Sequence, residues 1–244
     1  MTEDEWLECA DVSELVQVKG ERSQRNVPCT TNERKLRLFA CACCRHIWHL
    51  LIDPRSRAAV LVGEQIADGE ATTSQRAAAL RLARDASSDI DAAHWNADWD
   101  SLKTPSLPAA SAALLTVVEG DTQFDPDTPY LPDADQIALD CRRAVALAGG
   151  PAAVQAEAAS QVAMFHDIMG NPFRPVQIDR SSLTDEVLQL ALSIYTGRRF
   201  DRLPELSKTL ERVGCTNREI LDHCGKPGLH VRGCWVIDLL LGKA

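Results

Sequence analysis

Residues 30–54 read TTNERKLRLFACACCRHIWHLLIDP, and this stretch decides the class of fold. Leu36, Phe39, Ala40, Cys43, Ile47, Leu50 and Leu51 recur at intervals of three and four, the spacing that brings side chains onto one face of an α-helix. Thr30 and Glu33 form a capping-box pair ahead of the run. A helix with one buried face is therefore expected from about 32 to 51. Asp53-Pro54 then ends it and opens another, with Asp as the cap and Pro at the first helical position, where its missing N–H is no loss.

The same punctuation recurs on both sides. Thr2 with Glu5 is a capping box before Trp6 and Leu7. Residues 19–31 are polar, contain Gly20 and Pro28, and read as a loop. Downstream of Pro54 a helix carries Ala58, Leu61, Val62 and Ile66 and stops near Gly69. Thr73 or Ser74 opens a long Ala/Arg-rich helix to about Trp99, and another helix is expected over 108–118. Two more, over 133–148 and 151–169, are separated by Gly149-Gly150-Pro151. Residues 171–175 are expected to be extended, since a residue before proline avoids the helical region. Thr184 caps a further helix, Leu203-Pro204 starts the next, Thr216 with Glu219 opens a short one ending at Gly225, and the last covers about 232–241. No segment alternates as a strand does. The expected fold is all-α, a multi-helix bundle or irregular helical array of about nine to eleven helices. Residues 120–135, rich in Pro and Asp, are the expected connector between an N-terminal part, 1–119, and a C-terminal part, 136–244, unless the whole is one domain.

Composition bounds the function. The chain has 244 residues, 45% hydrophobic and 25% charged, which is ordinary globular usage and enough for a sizeable core. Its formal net charge of −9 argues against nucleic acid and against anionic membrane surfaces as partners. The longest apolar stretches, such as 235–241, fall far below the roughly 20 residues that span a bilayer. The acidic start, Thr2-Glu3-Asp4-Glu5, is the reverse of a secretory leader. Nine cysteines, an odd number, then read as reduced thiols in a cytoplasmic protein.

Two segments carry a resemblance. One is Glu5-Trp6-Leu7-Glu8-Cys9 followed by RKLRLFACACCR at 34–45. The other is Gly170-Asn171-Pro172-Phe173-Arg174-Pro175, His223-Cys224 and HVRGCWVIDLLLGK at 230–243. Together they resemble a protein family carried in many copies by planctomycete bacteria. That family has no established activity, so the resemblance implies a lineage and no chemistry.

Among chemistry-bearing residues, the first group is Cys215, His223, Cys224, His230 and Cys234. Zinc takes four tetrahedral Cys and His ligands, often from two short segments. His230 and Cys234 are four apart, so one helical turn would aim both at a common point. The same residues also fit plain core packing, with His223 at a helix C-terminus. The second group is Cys41 and Cys44, which share a helix face, with His49 not far off it. They are candidate ligands, or core, or reactive thiols favoured by Arg45 or a protonated His46. The third is His166-Asp167 with distant His94, a pattern used by helical metal-dependent phosphohydrolases and common by chance. No phosphate loop, dinucleotide fingerprint or nucleophile elbow is present.

The expected function is a non-enzymatic intracellular interaction or regulatory module. Its partner would be a protein meeting the 120–135 segment beside Trp95 and Trp99, since Trp is favoured at binding hot spots. The alternative is a zinc protein, with either a structural site or a small hydrolase centre. In the hydrolase Asp222 or Asp238 would serve as base, although Asp238 is expected on the exposed side of the last helix.

Overall fold

In the computed structural model the described residues are 1–16, 32–95, 104–118, 134–179 and 182–243. They form eleven α-helices, with no strand among them, so the all-α reading holds. The helices are α1 (Glu3–Glu8), α2 (Val12–Val16), α3 (Glu33–His46), α4 (Pro54–Ala67), α5 (Thr73–Trp95), α6 (Ser106–Leu115), α7 (Ala134–Met169), α8 (Asp185–Gly197), α9 (Leu203–Arg212), α10 (Arg218–Gly225) and α11 (Trp235–Leu241). The expected loop at 19–31, Trp99, and nearly all of the 120–135 connector lie outside the described residues. The chain divides into two compact units, Met1–Val162 and Ala163–Ala244.

The helix starts follow side-chain capping. Thr2 and Glu5 close the expected capping box on α1. Asp53 accepts from the backbone of Arg55 and starts α4, and Thr184 does the same for α8. Three of the capped starts differ by one or two residues from expectation, and α6 begins two residues early at Ser106 and α11 three late at Trp235, both without a side-chain cap. Asn32, rather than Thr30, caps α3. Thr72 caps α5 in a reciprocal bond with Gln75. Asn217, rather than Thr216, caps α10. In each case good cap residues stand within two positions of each other, and the one whose oxygen reaches the free N–H groups of the first turn prevails.

The first unit is built around α3. Every residue from Leu36 to Cys44 is buried, so α3 shows no single apolar face but is covered on all sides. It ends at His46, earlier than its spacing suggests, and a 3-10 turn, Trp48–Leu50, follows. Arg37 is buried within this core. Its guanidinium donates to the carbonyls of Thr116 and Val118 just past α6 and pairs with Glu33. Arg45 forms a two-pronged pair with buried Glu64 and ties α3 to α4. Gly63 on α4 leaves room for both neighbours, since a Cβ there would meet Cys41 Sγ and Thr116 Oγ1 at 3.0 Å.

Helix α7 breaks where the Gly149-Gly150-Pro151 run says it should. Gly150 adopts φ 72°, a backbone state that glycine enters without steric cost. The second unit holds the end of α7 and α8 to α11. Its core joins Ile194 and Tyr195 of α8, Leu206 and Leu210 of α9, Ile220 of α10 and Ile237 of α11. Residues 171–175, expected to be extended, instead turn through Pro172 and Phe173, with Asn171 Oδ1 accepting from the Phe173 N–H at 2.9 Å.

Candidate metal centre

Within the second unit, four side chains aim ligand atoms at one point. Asp167, His223, His230 and Cys234 each offer one donor atom, and all four atoms lie within 4.8 Å of one another. Asp167 comes from the last turn of α7, which Gly170 ends in a left-handed conformation, φ 68°. His223 comes from the last turn of α10. His230 lies in the loop that follows. Cys234 is the residue before α11, placed by a turn in which its N–H donates to the Val231 carbonyl. His230 and Cys234 therefore converge through this turn and not along one helical face, as the spacing alone suggests.

The contacts are specific. Asp167 is buried, and its Oδ1 lies 2.6 Å from His230 Nδ1 and 3.1 Å from His223 Nε2. Its Oδ2 accepts from the Val231 N–H at 2.9 Å. His223 Nε2 also lies 3.2 Å from Cys234 Sγ, and its Nδ1 accepts from Trp235 Nε1–H at 3.1 Å. Burial works to raise the Asp167 carboxyl, but the bonds from His223 and His230 outweigh it and hold the group below its ordinary value. Burial, with the Asp167 charge beside it, pushes the Cys234 thiol well up. A cavity of about 380 Å³ opens on Asp167, His223 and His230 and is bordered by His166, Asp222 and Lys226.

This donor set suits zinc. Zinc bonds of roughly 2.0–2.3 Å to nitrogen, oxygen and sulfur put tetrahedral ligand atoms about 3.4 Å apart, close to the 3.1 and 3.2 Å seen around His223 Nε2. Two neutral imidazoles, one carboxylate and one thiolate would also balance a divalent charge, which suits a site whose Asp167 and Cys234 are buried. The set does not suit thiol nucleophile chemistry. A general base needs a free lone pair facing the thiol. The Trp235 N–H instead takes the Nδ1 lone pair, which leaves the ring proton of neutral His223 on the nitrogen that faces Cys234.

The other candidates are placed differently. Cys215 and Cys224 pack in the hydrophobic core of the second unit, and burial pushes the Cys224 thiol up to about 12. Cys41 and Cys44 lie in the first unit. Cys41 Sγ meets the Val60 carbonyl at 3.7 Å, and Cys44 shares a hydrogen bond with Cys141, which together with burial raises the Cys44 thiol. Neither is a thiolate favoured by nearby cations, because Arg45 is held by Glu64 and His46 by Glu157. His94 has no described side chain. Asp238 is buried, a correction to its expected exposed position, and Asp222 forms an exposed pair with Lys226 at 3.0 Å. Asp167 was read in a separate metal-site pattern, with His166 and distant His94, and not with the C-terminal Cys/His group it joins here.

Compared with known protein families, with curated proteins and with solved structures, the chain matches none. No described helix is long and apolar enough to cross a membrane.

Proposed function

We propose that this protein is a non-enzymatic module whose C-terminal unit binds one zinc ion through Asp167, His223, His230 and Cys234. The observation that carries the reading is the convergence of these four donors within 4.8 Å. The ligands come from α7, α10, the loop after it and the entry to α11. One ion would cross-link the pieces of a small unit whose own core is limited, as structural zinc does in other small folds. Charge balance favours this closed role over a hydrolytic centre. Four protein ligands leave no position for water, and Asp222, the acid bordering the cavity, is engaged by Lys226.

The test is elemental analysis of the full chain purified without chelator or metal-affinity resin. One zinc per chain is expected, lost in His230→Ala and Cys234→Ser and kept in Cys215→Ala. Cobalt in place of zinc should add a thiolate-to-metal absorption band that Cys234→Ser abolishes. Metal-free protein with all nine thiols titratable after unfolding would end the proposal and leave the cysteines as core packing.

A further inference from the structure

The donor set contains one contact that works against a bound metal, and it lies at Trp235. An indole N–H only donates. At 3.1 Å from His223 Nδ1 it requires a lone pair there, so the neutral ring carries its hydrogen on Nε2. That hydrogen faces two acceptors, Asp167 Oδ1 and Cys234 Sγ. A metal on Nε2 reverses it. The neutral ring must then carry its hydrogen on Nδ1, pointing at the Trp235 N–H, donor against donor. Flipping the imidazole brings a carbon, not an acceptor, to the indole. A ligating histidine ordinarily donates its other N–H to a carboxylate, a carbonyl or water, and here an indole occupies that place. His230 has no such conflict, because its second nitrogen, Nε2, is buried and meets no hydrogen-bond partner.

We infer that Trp235 sets the metal affinity of this site: its hydrogen bond to His223 opposes loading, and loading breaks it. The inference rests on the zinc reading above. The indole is positioned for this role by its neighbours. Trp235 is the first residue of α11, directly after the ligand Cys234, and its ring packs at 5.0 Å from the His223 ring. Its other side lies on Gly170, where a Cβ would approach Trp235 Cγ to 3.2 Å. Gly170 therefore presents only backbone to the indole.

The experiment compares the full-length wild type with Trp235→Phe, which keeps a ring on Gly170 and removes the donor. Zinc affinity is measured by competition with a chelator of known strength. The indole N–H signals of both proteins are followed by nitrogen-15 NMR during zinc titration. One of the five tryptophan signals, the one missing from Trp235→Phe, should move on zinc addition. The variant should bind zinc roughly tenfold more tightly, the effect of relieving one mispaired, partly buried donor. If zinc binds both proteins equally and the Trp235 signal does not move, or if the variant binds more weakly, the inference falls while the zinc site stands. If folded wild type and variant both ignore zinc, the zinc reading and the inference fall together. Should the variant not fold, the wild-type Trp235 signal alone decides.

Discussion

Helix α7 carries two buried carboxylates with different fates. Glu157, in the first unit, and Asp167, in the second, each lie 2.6 Å from an imidazole Nδ1. Around Glu157 the remaining oxygen accepts from the Gln161 amide, and the histidine, His46, is half-exposed at the end of α3. Around Asp167 a backbone N–H takes one oxygen, while a second imidazole and a thiol reach the same point. No comparable donor group forms around Glu157 among the described residues. A buried carboxylate gripped by one histidine is a brace between helices. It becomes a candidate metal centre only when further donors converge on the same oxygen.

The sharpest way to break this comparison is Asp167→Asn. It removes the charge that three N–H groups share, and zinc should fall to background. Stability of the second unit should drop by about 3 kcal/mol, the cost of breaking a buried hydrogen-bonded charge. Amide exchange at Val231 would read that loss locally. Zinc retained at one per chain in this variant would remove Asp167 from the ligand set.

Glu157→Gln is the matching change in the other region. It should cost about 1–2 kcal/mol, discounted because His46 is partly exposed, and leave zinc content unchanged. Denaturant unfolding monitored with probes in each unit would show whether the loss stays in the first.

The two braces also respond to pH with opposite sign. The hydrogen bond to Glu157 holds His46 above its ordinary 6.5, against burial, which pulls it down. Its contribution is therefore complete below pH 6.5 and fades as pH rises through the higher folded value. Asp167 is held below its ordinary 3.8, so its contribution is complete above that pH and is lost as pH falls through the lower folded value. Mild alkali should loosen the first unit by less than about 1 kcal/mol, and strong acid should loosen the second. Amide exchange that rose in the same unit at both ends of the pH range would contradict this assignment.

The smallest expected effect is at the cavity rim. Asp222→Asn breaks an exposed pair with Lys226 and should cost under about 0.5 kcal/mol, with zinc content unaltered. Loss of zinc in that variant would bring Asp222 into the site.

The contrast also shows which parts of the molecule local sequence encodes. The caps at Thr2, Asp53 and Thr184, and the break at Gly150, were legible because each depends on residues within one helical turn. The caps at Asn32, Thr72 and Asn217 were misplaced by one or two residues, because several cap-forming residues lie within two positions of each other, and at Asn32 and Asn217 the stronger cap, Asn over Thr, prevails. Of the candidate ligands, His223, His230 and Cys234 were legible from the density of soft donors near the C-terminus. Asp167 was not, because its partners lie more than fifty positions downstream and no local spacing reports a contact of that range. Cys215 and Cys224 belonged to the same dense cluster and went into the hydrophobic core. In sequence, a small buried thiol and a ligand thiol look alike.

The sealed thiols have a kinetic consequence. Of the eight described cysteines, all are free and only Cys9 is more than marginally exposed. An alkylating reagent reaches Cys41 only after α3 parts from Gly63 on α4, and it reaches Cys224 only after the core of the second unit opens. When labelling outpaces closing, the rate at which each thiol is modified equals the rate at which its own unit opens. The chain thus carries, without any added dye, a separate stopwatch for the opening of each of its two units.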